Sequence, residues 1–392
     1  MRFGPIRSRL QSILNKVNEK GIGHCVKGLI RLILHPLNKI TIIMQAAYHY
    51  AASFNNPNSD SVLAIYDLRV SPYTFNFVEF LANAEAFRMM NSLSSIDVAI
   101  VVDREKLHRG DQPCVTEANY RNWILNLAEA TDVLESMTSL SIFDAKKFLG
   151  FYRRVRQNHV IFPDNGVLYF PKIAYHLTFT SDYYRMSGYA PKFKSSGILL
   201  DWAEGYFHQK CCPMIPIVVF VRNASNHLRN TNWPAWLDFF RQVIDPYPVK
   251  FFIVNDFWNP LTVPEDLQSR VLVSTEATIS VKYRAALTQK ASLIMGTSHG
   301  SFAHCIFNET PYLLFGMDNV EFNAKLNISL HGMTEDLQFP WATKYQRVFP
   351  EQADTTNLKD KFEGMYALLQ KDGKLIPSYY NYSEDERNKF EN

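Results

Sequence analysis

The residues of this sequence best suited to chemistry gather in loops that follow short apolar runs. Gly296-Thr297-Ser298-His299-Gly300-Ser301 follows Leu293-Ile294-Met295 and precedes a helical pattern over 302–308. Its two glycines permit a tight turn and close backbone approach. The helix start offers free N–H groups and a partial positive charge, and the hydroxyls of Thr297, Ser298 and Ser301 add donors. Together these suit a phosphate; an ordinary strand-to-helix turn is the competing assignment. Loop 222–230 leaves the apolar run 217–221 and is polar except at Ala224 and Leu228. It carries Arg222, Arg229 and Asn230, and a guanidinium grips a diphosphate as a bidentate fork. Solvated loop charge is the alternative there. Asn255-Asp256 ends the run 251–254.

Carboxylates mark the first half. Asp67 and Asp103 each end an apolar run, and either could take a proton from a hydroxyl or simply cap a turn. Tyr73, Thr74 and Asn76 could hydrogen-bond an acceptor sugar, and His108 and Arg109 are further candidates. No carboxylate cluster of metal-binding pattern stands out, so no metal and no cofactor are expected.

The elements that must position these loops alternate regularly. Val62-Leu63-Ala64-Ile65-Tyr66 reads as a buried strand. Phe77, Phe80, Leu81, Ala84 and Phe87 then recur at helical spacing, and 98–102 is the next strand. That βαβ pattern favours a parallel sheet. Less clearly, 117–135 and 145–156 read as helices and 140–143 and 159–163 as strands, while 165–195 reads as irregular. A helix over 197–209 leads to a second series: strands at 217–221, 251–254, 271–273, 293–295 and 312–315, with helices between them. In open α/β sheets ligands sit beyond the carboxyl ends of strands, which sends the loops after 221, 254 and 295 to one edge.

The 392 residues, 47% of them hydrophobic, allow two or three domains at roughly 100–200 residues each. Residues 1–54 read as a basic amphipathic helical extension, 55–195 as a first α/β domain, 196–380 as a second and 381–392 as a flexible tail. Residues 1–39 hold eight Lys or Arg against Glu19, a net +7, leaving −4 for the rest of a chain whose total is +3. The body is therefore no nucleic-acid binder by charge. The extension suits an anionic membrane surface, or a helix pair packed on the body. The apolar run 40–54 is short of the ~20 residues that a spanning helix needs. Five scattered cysteines without a CxxC pair fit reduced thiols in a cytoplasmic protein.

The stretch 293–304, followed by Thr310-Pro311-Tyr312-Leu313-Leu314-Phe315-Gly316, resembles the nucleotide-sugar half of bacterial glycosyltransferases with the two-domain GT-B fold, of the heptosyltransferase-like kind found in lipopolysaccharide and O-antigen synthesis. Arg222 is similar to the phosphate-binding arginine of fucosyltransferase-like members. The helix histidine of heptosyltransferases would fall one residue before His304, so its role is not carried over. The resemblance implies two Rossmann-like domains facing a cleft. It further implies a sugar moved from a nucleotide-diphosphate donor to a glycan or lipid-linked acceptor, without a metal; the basic extension would hold the protein at the inner face of the membrane. Arg222, Arg229 and the turn 298–301 would stabilise the leaving diphosphate.

Two other readings compete. Gly296-Thr297-Ser298-His299-Gly300 matches the G-x-S-x-G nucleophile turn of serine hydrolases, with Asp318 and His331 in the required order. A shell that binds nucleotide without turnover is the third reading.

Overall fold

The computed structural model describes residues 60–104, 107, 115–155, 158–163, 173–224, 229–255, 259–318 and 323–375. The extension 1–54, the tail 381–392, Asp256, His108 and Arg109 lie outside them.

The first half runs β1 (Ser61–Asp67), α1 (Asn76–Met90), β2 (Ser95–Val102), α2 (Tyr120–Ala130), β3 (Met137–Asp144), α3 (Ala145–Val155), β4 (Val160–Phe162) and α4 (Thr178–Ser187). The second half continues with α5 (Gly197–Cys211), β5 (Ile215–Phe220), α6 (Trp233–Val243), β6 (Val249–Val254), β7 (Val271–Val273), α7 (Thr275–Ile279), α8 (Val281–Lys290) and β8 (Leu293–Thr297). A 3-10 helix (Gly300–Phe307), β9 (Tyr312–Phe315), α9 (Ala324–His331), β10 (Gln346–Phe349) and α10 (Thr355–Lys371) complete it.

These strands form two sheets, ordered β3-β2-β1-β4 and β10-β9-β8-β5-β6-β7, and all their pairings are parallel. Read from β7, the second sheet runs 7-6-5-8-9-10, the doubly wound order that reverses direction between its first and fourth strands. The reversal falls between β5 and β8, whose register pairs Val219 with Met295 and Phe220 with Gly296. The α/β class and the two Rossmann-like sheets expected from the alternating pattern are what the chain forms.

Both faces of a parallel sheet are covered, so its strands are continuous apolar runs. Alternate side chains of β5 divide accordingly. Ile217 and Val219 pack with Trp236, Phe239, Phe240 and Phe362 from α6 and α10. Val218 and Phe220 pack on the other face with Ala285 and Phe302. Each such large apolar side chain contributes about 1.5–3 kcal/mol on leaving water.

α1 has no solvent face: every residue from Phe77 to Ala86 is buried. A helix covered all round must be sandwiched. One apolar cluster joins Val62 and Phe80 of the first sheet layer to Ala285 and Phe302 of the second. Polar fasteners cross the same boundary. Glu129 of α2 accepts from Ser280 Oγ and from the Val281 N–H, both at 2.8 Å. The carboxylate thereby caps the first turn of α8, where negative charge is favoured.

The structure departs from the sequence expectations in several places. The helix expected over 302–308 is a tighter 3-10 helix. The span 165–195, read as irregular, contains α4. Between β7 and β8 the chain forms two helices that meet at Ser280. Among the described residues no helix is long and apolar enough to cross a membrane.

Candidate active site

A cavity of about 700 Å³ opens where β5 and β8 end, between the two sheet layers. Arg222, Arg229, Arg284 and the turn 298–301 line it from the second domain. Thr74, Phe75, Asn76 and Glu79 line it from the start of α1, and Asn122, Trp123 and Asn126 from α2.

The second-domain wall is set by backbone economy. The Arg222 N–H donates to Thr231 Oγ1 at 2.8 Å, and the Thr231 N–H returns to the Arg222 carbonyl at 2.9 Å. Within this loop Asn230 bonds the Ala224 backbone in both directions. Thr231 Oγ1 also lies 3.1 Å from Thr297 Oγ1, which ties the loop to the end of β8. Arg229 then reaches across and donates from Nη2 to the Ser298 carbonyl at 3.1 Å.

Neighbours rather than φ favour both glycines of the turn, most strongly at Gly296. A Cβ on Gly296 would stand 2.9 Å from Phe220 Cβ and 3.0 Å from its carbonyl oxygen, and a Cβ on Gly300 would stand 3.2 Å from Phe75 Cβ. Gly296 lets β8 lie close on β5. Gly300 lets Phe75 of the first domain close over the turn.

Three guanidinium groups share this wall. Arg284 is 5% exposed and is held by carbonyls, donating from Nε to Ala277 O at 2.8 Å and from Nη2 to Thr278 O at 2.9 Å. Its guanidinium lies 5.3 Å from the centroid of the Phe75 ring. Burial first, then the fields of Arg284, Arg222 and Arg229, hold the His299 imidazole well below its ordinary value. His299 Nδ1 lies 2.7 Å from Ser301 Oγ. A neutral imidazole among three cations marks a strongly positive, partly desolvated hollow, the environment that an anion would neutralise.

The first-domain wall carries a carboxyl. Glu79, 9% exposed, accepts from Asn76 Nδ2 at 3.3 Å, and Thr74 Oγ1 donates to Asn76 Oδ1 at 2.7 Å. Its Oε1 lies 3.5 Å from His331 Nδ1 at the end of α9. Burial pushes the Glu79 carboxyl up to about 8, against the opposing effect of the Asn76 bond. Burial, then His176 and Arg229, pushes His331 down to about 4.

The structure therefore brings Arg222, Arg229, Ser298, His299, Gly300 and Ser301 to one hollow with Thr74 and Asn76. It places other candidates elsewhere. Asp67 is 2% exposed and closed in a bidentate pair with Arg69, whose Nε and Nη2 reach its oxygens at 2.9 and 2.5 Å. Neither Asp67 nor Asp103 lines the cavity. Tyr73 is a core residue at 2% exposure. Thr297, at 1% exposure, and Asn230 act behind the wall through the bonds just described. His304 is buried on the inner side of the 3-10 helix, 3.1 Å from Thr288 Oγ1.

The serine-hydrolase arrangement does not form. A nucleophile turn strains its serine, yet the only non-glycine residues with positive φ among the described residues are Ser92 and Leu337. Asp318 gives its carboxylate to the Ala324 N–H at 3.1 Å, and His331 Nδ1 faces Glu79.

Glu79 and Arg284 are cavity residues that the sequence reading passed over. Arg284 carried a signal: Val281, Arg284, Ala285 and Thr288 fall at i, i+3, i+4 and i+7 on a buried stripe, where a lone cation needs a purpose.

Neither a protein-family model nor a curated protein matches the sequence. Among solved structures, the chain is similar to the E. coli ADP-heptose lps heptosyltransferase II, with 9% identity, 80% of this chain and 99% of that chain covered, and a TM-score of 0.47. It is similar to a glycosyl transferase family 9 protein from Veillonella parvula at 9% identity, 82% and 98% coverage and a TM-score of 0.46. A third is the E. coli heptosyltransferase WaaC with ADP-2-deoxy-2-fluoro heptose, at 12% identity, 78% and 99% coverage and a TM-score of 0.37.

Proposed function

We propose that the protein transfers a glycosyl group from a nucleoside-diphosphate sugar to a hydroxyl of a glycan or lipid-linked acceptor. The observation that carries this reading is the convergence of Arg222, Arg229 and Arg284 around His299 on one wall of a cavity at the switch point of a doubly wound sheet. Cleaving the bond from the anomeric carbon to the β-phosphate leaves new negative charge on the diphosphate. Guanidinium groups fixed before the reaction stabilise that charge without reorganising, and one such donor is worth about 3 kcal/mol. In this reading the arginines do the work that a divalent cation does elsewhere, and the nucleotide sugar is a substrate, not a cofactor. Thr74 and Asn76 receive the acceptor on the facing wall.

In this reading the acceptor belongs to cell-surface polysaccharide synthesis. The +7 segment 1–39, outside the described residues, supports a peripheral position on the inner, anionic face of the membrane. Thermal denaturation against a panel of UDP-, GDP-, ADP- and CMP-sugars tests the reading. A donor at 100 times its dissociation constant stabilises by about 2.7 kcal/mol. A panel in which no member raises the midpoint would end it.

A further inference from the structure

The buried stretch 77–86 of α1 carries three polar side chains, and two of them are structural fasteners. Asn83 donates to the Ala174 and His176 carbonyls and accepts from the Thr180 N–H and hydroxyl. Glu85 is taken up by Arg88 at 2.8 and 2.7 Å and by Ser136 Oγ at 2.6 Å. Glu79 is different: it lines the cavity, more than nine-tenths buried, facing His331 from the second domain. A carboxyl kept at such a place serves no packing purpose that a leucine would not serve better.

We propose that Glu79, oriented by Asn76 and His331, is the general base that takes the proton of the acceptor hydroxyl. This rests on the glycosyl-transfer reading above. The acceptor O–H gives its proton to a Glu79 carboxylate oxygen while the acceptor oxygen forms its bond to the anomeric carbon. The bond from that carbon to the β-phosphate oxygen breaks, and its electron pair leaves with the nucleoside diphosphate on the arginine wall. Glu79 afterwards returns the proton to solvent.

The surroundings suit that task. A general base works best when its pKa lies near the working pH. Glu79 rests at about 8 because burial penalises its charged form. The groups facing it are His331 from α9, with His176 and Arg229 beyond that ring, and Asn76 from its own first turn. The Asn76 N–H bond favours the carboxylate, so it holds the value lower than burial alone would.

The test uses the full chain with the UDP-, GDP-, ADP- and CMP-sugar panel, water standing in for the acceptor hydroxyl and release of free nucleotide as the readout. Glu79→Gln keeps donor affinity within about twofold and lowers release by about 100-fold or more. The wild-type rate climbs through an inflection near 8, which Glu79→Gln abolishes and Asn76→Ala moves to higher pH. A Glu79→Gln protein that binds donor and releases nucleotide at the wild-type rate overturns the assignment while leaving the transferase reading standing. A wild-type chain that binds no member of the panel removes both.

Discussion

Arg222 and Thr231 are joined twice, N–H to hydroxyl and N–H to carbonyl, and the same hydroxyl touches Thr297 at 3.1 Å. One threonine thus fixes the strand-end arginine and couples the two loops that meet at the switch point. Thr231→Val is near-isosteric but leaves the Arg222 N–H and the buried Thr297 hydroxyl without this partner. The expected cost is about 1–3 kcal/mol in urea denaturation, together with weaker donor binding because Arg222 is no longer held in place.

The three cavity arginines separate into kinds. Arg284 bonds two carbonyls and lies under Phe75, so Arg284→Ala lowers both the melting temperature and donor affinity. Arg222→Ala removes a cavity charge from a loop whose backbone bonds remain. It weakens nucleoside-diphosphate binding by about tenfold to a hundredfold, the scale of a charge-assisted hydrogen bond. Differential scanning fluorimetry with and without the nucleotide separates the two effects.

The glycines differ in what an added methyl meets. At Gly296 it meets Phe220 backbone at 3.0 Å, which a strand pair in register cannot yield. At Gly300 it meets Phe75 Cβ at 3.2 Å, which a shift of the Phe75 backbone by a few tenths of an ångström relieves. Gly296→Ala therefore destabilises by about 1–3 kcal/mol and Gly300→Ala by less. Gly300→Ala instead shifts Phe75 and with it the acceptor side of the cavity, so its larger effect is on turnover.

Stability has opposing pH slopes. Below the ordinary histidine value of 6.5, unfolded His304 and His331 take up protons that the folded chain refuses until about 3 and about 4, so stability falls as pH drops. Glu79 behaves oppositely: between the ordinary value of 4.5 and about 8 the folded chain holds a proton that the unfolded chain releases. Its contribution is complete at low pH and is lost as pH rises through about 8. Maximum stability is expected near pH 6.5. Above it the wild type loses up to about 1.4 kcal/mol per pH unit, and Glu79→Gln flattens that limb in urea midpoints taken from pH 5 to 8.5.

The doubly wound sheet was legible because buried parallel strands are unbroken apolar runs: 217–221, 251–254 and 312–315 announce themselves without partners. The loops after β5 and β8 followed from the strand-end rule, so Arg222, Arg229 and 298–301 could be named. The carboxyl could not. Asp67 and Asp103 occupy strand ends in the sequence, but whether a strand-end aspartate faces a cleft depends on what stands two residues away, and Arg69 closes on Asp67. Glu79 sits in an apolar helix whose far side is covered only once the second domain is in place, a long-range fact. α9 carried signals that the reading missed: Asn323 accepts from the Leu326 N–H as a start cap, and Gly332 ends the helix at φ +62. Had that helix been recognised, His331 would have been placed beside a cap rather than in a distant triad.

The wall built by Arg222, Arg229, Arg284 and His299 is read as a diphosphate site, and calorimetric titration tests it most directly. The donor found in the sugar panel supplies the nucleotide; its diphosphate, its monophosphate and its nucleoside are titrated into the wild type and into Arg222→Ala. The prediction is that the diphosphate binds the wild type at least about tenfold more tightly than the monophosphate, and that Arg222→Ala erases most of this difference. Equal affinity for the three ligands, or a preference for diphosphate unchanged in Arg222→Ala, would contradict it.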